Sequence, residues 1–312
     1  MICAVLPALV RPLVEPHLPD DVDAHWFMSS DEAAILAPQA EIGWFDMMDK
    51  TGMLAPVKAA TALKWLNSIY AGVDGMPLDL LKSRGVIYTN GAGLIASSVA
   101  EYAVMGMLTI AKGYREVVRA QDRHEWLKGP PARGELAGSK ALLIGYGAIG
   151  KSIERQLNGF GVEVIVVRRS PSPGALGPDN WRARLGEFDW VILAMPATAE
   201  TEHMMGEAEF AAMKPSAALV NIARGSVVDQ DALVTALRDK VIGAAFLDVT
   251  TPEPLPVDNP LWALDNAHIT MHLSGQSQSS LFQRAAERFL DNLERYRKSE
   301  PLSPMVDLTK GY

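Results

Sequence analysis

The chain has 312 residues, 48% of them apolar and 21% charged, with a formal net charge of −8. That is an ordinary globular composition, long enough for two domains, and its acidic balance argues against broad nucleic-acid binding. The single cysteine, Cys3, rules out a disulfide framework within the chain and fits a reducing cytoplasm, and no apolar run reaches the ~18 residues of a membrane span.

The opening "MICAVLPALVRPL" is short and has no basic lead, so it reads as a buried first strand and not as a signal peptide. Further β-like runs follow at 24–28, 42–45, 64–69 and 86–89, separated by helical or loop segments. A long helical pattern runs from about Ser97 to Ala120, with Ser97 or Ser98 as its cap and Glu101 in the first turn.

From Lys140 the alternation becomes regular. Strands are expected at 140–144, 162–167, 190–194, 217–221, 241–247 and within 266–272, with helices at 148–159, 207–213 and 230–238. Strands that alternate with helices imply a parallel, doubly wound sheet. The last helix, about 278–297, has no strand after it and is expected to return to the first domain. The predicted fold class is α/β, with two Rossmann-like doubly wound parallel-sheet domains. A domain of 93–279 is inserted into a discontinuous one of 1–92 and 280–312.

"GYGAIG" places Gly145, Gly147 and Gly150 at G-x-G-x-x-G spacing, after an apolar strand and at the start of a helix. The first glycine allows the tight turn, the second lets the backbone approach a pyrophosphate, and the third lets helix pack on strand. In such a unit a carboxylate closes the next strand and grips a ribose 2′-OH. Here "VIVVRRSPSP" has Arg168, 18 positions after Gly150, then Arg169 and Ser170. Two guanidinium groups and a hydroxyl suit a 2′-phosphate, so NADP(H) is the preferred cofactor and NAD(H) a possible one. Spacing favours Arg168 as the reader.

Three more segments end strands of the same sheet. "VNIARGSVVDQ" carries Arg224, "FLDVTTPEP" ends its strand at Asp248 with Glu253 five residues on, and "HITMHLSG" carries His272 just beyond its strand, with His268 ending the strand. Arginine can hold a carboxylate and polarise a carbonyl, histidine can donate a proton near neutrality, and a glutamate partner favours the imidazolium. No metal site is expected.

These pieces, with "YAGVDGMPLDLLKSRGVIYTN" (70–90), "DWVILAMPATAETEHMM" (189–205) and "MKPSAALVNIARGSVVDQDAL" (213–233), resemble the D-isomer-specific 2-hydroxyacid dehydrogenases over nearly the whole chain. Within that family the length and the closing "VDLTKGY" are similar to the glyoxylate/hydroxypyruvate reductase A group. The resemblance implies a flavodoxin-like substrate-binding domain at 1–92 and 280–312, and an NAD(P)-binding Rossmann domain at 93–279. It implies catalytic roles for Arg224, Glu253 and His272, and substrate-carboxylate binding at Ala71 and Gly72. Trp44 would line the pocket; Met47 and Met48 after it could shape an adaptable pocket, which leaves a larger aryl or branched 2-oxoacid open. Cofactor contacts are implied at Tyr146, Ala148, Ile149, Pro196, Thr201, Ala223, Asp248 and His272, besides the glycines and arginines. Among the two arginines the resemblance favours Arg169.

The activity so implied is NADPH-dependent reduction of a small 2-oxoacid to the D-2-hydroxy acid by a cytoplasmic homodimer, with no nucleic-acid or membrane partner. A larger 2-oxoacid, phosphite, or a dinucleotide-sensing corepressor-like role are the alternatives. The chain departs from the family pattern in having Met271, where proline is usual, before His272.

Overall fold

The computed structural model describes residues 1–46, 50–73, 75–170, 173–276 and 280–311. The chain divides into two compact units, Met1–Ile95 with Ser277–Tyr312, and Ala96–Gln276.

The first unit begins with β1 (Ile2–Pro7), α1 (Arg11–Val14), β2 (Val22–Phe27), α2 (Ser30–Leu36), β3 (Ile42–Gly43), α3 (Leu54–Ala59), β4 (Trp65–Asn67), α4 (Leu78–Ser83) and β5 (Ile87–Thr89). The strands form one parallel sheet in the order β2-β1-β3-β4-β5. Ser29 caps α2, its Oγ accepting from the Glu32 N–H at 3.2 Å. The chain crosses from β1 to β2 on one side and then returns to β3 on the other. This reversal leaves a crevice at the carboxyl ends of β1 and β3, where open α/β sheets bind ligands.

The second unit opens with α5 (Ala96–Lys112) and α6 (Tyr114–Asp122). It continues through β6 (Lys140–Ile144), α7 (Ala148–Gly159), β7 (Glu163–Val167), β8 (Trp190–Leu193), α8 (Glu207–Ala212), β9 (Ala218–Asn221), α9 (Gln230–Arg238), β10 (Ala244–Leu247) and β11 (Ala267–Ile269). Its six strands are all parallel, in the order β11-β10-β9-β8-β6-β7, with the reversal between β6 and β8. Strands β8, β9 and β10 are buried along their whole length, as a sheet covered on both faces requires. Helix α5 lies close to this sheet because Gly106 has no side chain. A Cβ there would stand 2.3 Å from the Phe246 ring of β10.

The chain closes with α10 (Ser280–Arg297) in the first unit, where Phe289 packs 5.2 Å from both the Trp44 and the Trp65 rings.

Several expected boundaries are corrected. The single helix of 97–120 is two, broken at Gly113, whose φ of 61° is left-handed. Neither Ser97 nor Ser98 precedes the helix; Ser97 Oγ donates to Glu101 and Ser98 Oγ to the Ser274 carbonyl. The last two strands are shorter than their apolar runs. The chain turns at 241–243 before β10, and β11 stops at Ile269.

Candidate active site

The residues singled out for catalysis and cofactor binding follow the carboxyl ends of strands. In the second unit, Gly145 turns at φ 101°, and a Cβ on it would lie 2.5 Å from the Met195 N. A Cβ on Gly150 would lie 2.3 Å from the Gly145 carbonyl, so both positions require glycine. Around Gly147 nothing stands within 4 Å of such an atom. The start of α7, with Ala148 and Ile149 in its first turn, thus opens onto free space and carries unsatisfied N–H groups and a partial positive charge. That is the space and polarity a dinucleotide pyrophosphate needs.

Beyond β7, the Arg168 guanidinium lies 5.8 Å over the ring of Tyr146, within the glycine loop, and the Tyr146 hydroxyl donates to Glu154 of α7. Arg169 points elsewhere: its Nη2 pairs with Glu200 Oε2 at 2.7 Å, both side chains more than half exposed. Ser170 is exposed beside them. Beyond β8, Pro196 is exposed, while Thr201 is buried and closes the turn, its Oγ1 donating to the Pro196 carbonyl and accepting from the Thr198 N–H. Thr201 therefore shapes the loop and offers it no free hydroxyl.

The loop after β9 is shaped by Asn221. Its amide donates to the Arg224 carbonyl at 2.9 Å and its Oδ1 accepts from the Ala223 N–H at 3.0 Å. Arg224 is extended, with Nη1 on the Ala223 carbonyl at 2.7 Å. Gly225 lets this loop lie against the one after β10; a Cβ there would stand 2.0 Å from the Thr250 carbonyl. Gln230 ties the same two loops, its side chain bonding both the carbonyl and the N–H of Thr251.

Asp248, 1% exposed, organises the loop after β11. Its carboxylate accepts from Thr270 Oγ1 at 2.7 Å and from the N–H groups of Leu273 and Ser274, and its carbonyl accepts from the His272 N–H. This directs His272 Nδ1 to Glu253 Oε2 at 2.7 Å. Burial alone would raise the Glu253 carboxyl. The His272 hydrogen bond, the Thr250 N–H and the charges of His272 and Arg224 more than reverse this and hold it below the ordinary carboxylate range. Glu253 is therefore an acceptor, the imidazole N–H sits on Nδ1, and Nε2 is the nitrogen left for a substrate. Glu253, His272, Thr250, Trp262 and Ile269 line a cavity of about 440 Å³.

In the first unit, Ala71 and Gly72 follow β4 and are part-buried. The pocket-lining role expected for Trp44 is corrected: its indole is 1% exposed, packed in the core against Phe289, with Nε1 donating to Asp46 Oδ2 at 2.7 Å. Met47 and Met48 lie outside the described residues. Asp46, Asn221 and Gln230 had no role in the sequence reading. Their only signal was a polar side chain next to a strand end, which is also what a solvated loop looks like. Among the described residues no cluster of histidine, cysteine and carboxylate side chains could hold a metal, and no helix is long and apolar enough to cross a membrane.

Residues 104–274 match the family model described as "D-isomer specific 2-hydroxyacid dehydrogenase, NAD binding domain". A glyoxylate/hydroxypyruvate reductase B of Pectobacterium atrosepticum is 33% identical over 270 residues, covering 83% of each chain. A glyoxylate reductase of Korarchaeum cryptofilum is 32% identical over 256 residues, covering 78% of this chain and 76% of that protein. Among solved structures, a D-isomer specific 2-hydroxyacid dehydrogenase family protein of Aeromonas salmonicida superposes with a TM-score of 0.86 at 29% identity, covering 98% of this chain and 99% of that one. The Pectobacterium relative carries the type B name, where the closing segment of the sequence resembles type A; both lie in one family.

Proposed function

Since the chain belongs to the D-isomer specific 2-hydroxyacid dehydrogenases, NAD(P)-dependent oxidoreductases, we propose that it reduces a small 2-oxoacid of the glyoxylate or hydroxypyruvate type to the D-2-hydroxy acid with NADPH. The observation that carries this reading is the Glu253–His272 pair, held by Asp248 and set beside the charge of Arg224 on the sheet that bears the glycine loop. The names of the Pectobacterium and Korarchaeum relatives support the substrate class.

The glycine loop and the first turn of α7 would hold the pyrophosphate, and Arg168 over Tyr146 would meet the 2′-phosphate. Arg169, drawn off to Glu200, would be the secondary contact. When bound, the cofactor supplies the hydride that the substrate C2 receives. Arg224 orients the substrate carboxylate and polarises the keto oxygen. His272 gives the Nε2 proton to that oxygen as C2 is reduced, and Glu253, hydrogen-bonded to Nδ1, holds the ring in line. The first unit would bind the substrate carboxylate through the Ala71 and Gly72 N–H groups. Exposed Met105, Tyr114, Val117 and Val118 on α5 and α6 support a homodimer, and the single cysteine supports a cytoplasmic site of action.

One panel tests the reading. NADPH and NADH are each assayed with glyoxylate, hydroxypyruvate, pyruvate, phenylpyruvate and branched 2-oxoacids, and NADP with phosphite, using wild type and His272→Ala. The expected result is NADPH-dependent turnover of the small 2-oxoacids, lowered about 10²–10⁴-fold in the variant with NADPH affinity kept. Near-normal turnover in His272→Ala, or turnover of phosphite alone, would overturn it.

A further inference from the structure

The first unit holds a carboxylate that the chemistry above does not use. Asp46 follows β3 at the reversal of the β2-β1-β3-β4-β5 sheet. Among the described residues its carboxylate accepts from Trp44 Nε1, Ser68 Oγ and the Ile69 N–H. The last two lie just beyond β4, on the segment that leads to Ala71 and Gly72. Ser68 Oγ, while donating to Asp46, accepts from the Tyr70 N–H at 3.1 Å. One carboxylate thus engages the donors of residues 68 and 69 directly and that of 70 through the serine.

The carbonyls of the same segment are held from the β5 side. Tyr70 O accepts from the Gly91 N–H at 2.8 Å and Ala71 O from Asn90 Nδ2 at 2.7 Å. Gly91 makes this approach possible, since a Cβ on it would stand 1.8 Å from the Ile69 carbonyl. With donors 68–70 and carbonyls 70–71 occupied, the segment has little freedom left. Among the described residues the N–H groups of Ala71, Gly72 and Val73 find no acceptor. They form consecutive donors on a loop braced from both sides, at the carboxyl edge of a parallel sheet, and consecutive free N–H groups are an anion cradle.

We infer that Asp46 is a positioning residue for substrate recognition: it braces the Ser68–Tyr70 segment so that the Ala71–Val73 N–H groups are aimed at the 2-oxoacid carboxylate. This rests on the reading of Ala71 and Gly72 as the carboxylate site. The Asp46 carboxylate is engaged within the first unit by Trp44, Ser68 and Ile69, so its loss is expected to act on substrate affinity and not on the chemical step. Trp44 takes part at one remove, through the indole N–H that holds the Asp46 carboxylate.

The test compares wild type, Asp46→Ala, Asp46→Asn and Ser68→Ala in NADPH-dependent glyoxylate reduction. Affinity for oxamate, an unreactive 2-oxoacid mimic, is measured on the NADPH-loaded enzymes. Asp46→Ala is expected to raise KM and the oxamate Kd about tenfold, the loss of oriented hydrogen bonds, with kcat and the NADPH Kd within about twofold. Asp46→Asn keeps an acceptor of the same shape and is expected to restore most of the affinity. Should Asp46→Ala not fold, Ser68→Ala carries the comparison, with a smaller rise in the same two quantities. Unchanged KM and oxamate affinity in whichever variant folds would overturn the inference, as would a fall in kcat with KM unmoved. A wild type that binds oxamate yet reduces no 2-oxoacid would refute the catalytic reading instead, and the Asp46 comparison would then stand on oxamate affinity alone.

Discussion

Met271 and His272 stand side by side in the left-handed region, at φ 55° and 57°, a conformation that costs about 1–2 kcal/mol for each side-chain-bearing residue. The bonds from Asp248 to Thr270, His272, Leu273 and Ser274 hold it there. The family resemblance places a proline before the histidine, but proline is confined to φ near −65° and cannot take the angle of Met271. A proline at this residue would not fit the path that the histidine loop takes here. Met271→Pro should destabilise the protein by about 3 kcal/mol or more and displace His272 from Glu253, with a large loss of kcat. Met271→Gly should relieve strain and raise the urea midpoint. A proline variant with unchanged kcat would show that the loop accommodates proline without losing the Glu253–His272 pair. Residue types alone marked out Arg224, Glu253 and His272, because arginine, glutamate and histidine at successive strand ends suit one chemistry. Asp46 carries no such signal, because two of its partners, Ser68 and Ile69, lie more than 20 positions away in the chain.

Among the elements, β11 and α6 are joined by arginines. Arg115 Nη1 donates to the carbonyls of Leu264, Asp265 and Ala267, and Arg119 pairs with Asp265 at 2.7 Å. His268 of β11 lies within reach of both charges. Burial first, and then the charges of Arg115 and Arg119, push its pKa down to about 4 from the usual 6.5. The folded state thus binds this proton less readily than the unfolded chain. Stability is full above about pH 6.5 and declines as pH falls toward 4, by up to about 3 kcal/mol. The urea midpoint should drop between pH 7.5 and 5, and His268→Gln should remove much of that drop; an equal drop in the variant would place its cause elsewhere. The helical period of 97–120 was plain from the sequence, but its break was not. Gly113 within an apolar-periodic run looks tolerable until the chain turns there, with Pro131 3.0 Å from where its Cβ would be.

In the molecule as a whole, two parallel sheets each reverse direction once, and each reversal opens a crevice at the carboxyl edge. The proposed cofactor residues all lie in Ala96–Gln276, so NADPH should stabilise the protein by linkage, by about 2.7 kcal/mol at 100 times its Kd. NADH at the same concentration should raise Tm less. Replacing Arg168 and Arg169 with alanine should erase the difference between the two. Equal shifts in wild type would remove the case for a 2′-phosphate site.

The α/β class, the regular second half, the glycine loop and the identity of the catalytic candidates are legible in the chain without its fold. These are local properties: period, spacing and side-chain chemistry show in a short stretch of chain. Folding is what shows which arginine faces the glycine loop, that Trp44 is core, that Asp248 and Asn221 hold the loops of the catalytic candidates, and that Asp46 holds the segment leading to Ala71 and Gly72. Each of these depends on where a side chain meets a partner from another strand end, and sheet order, not sequence spacing, sets that meeting.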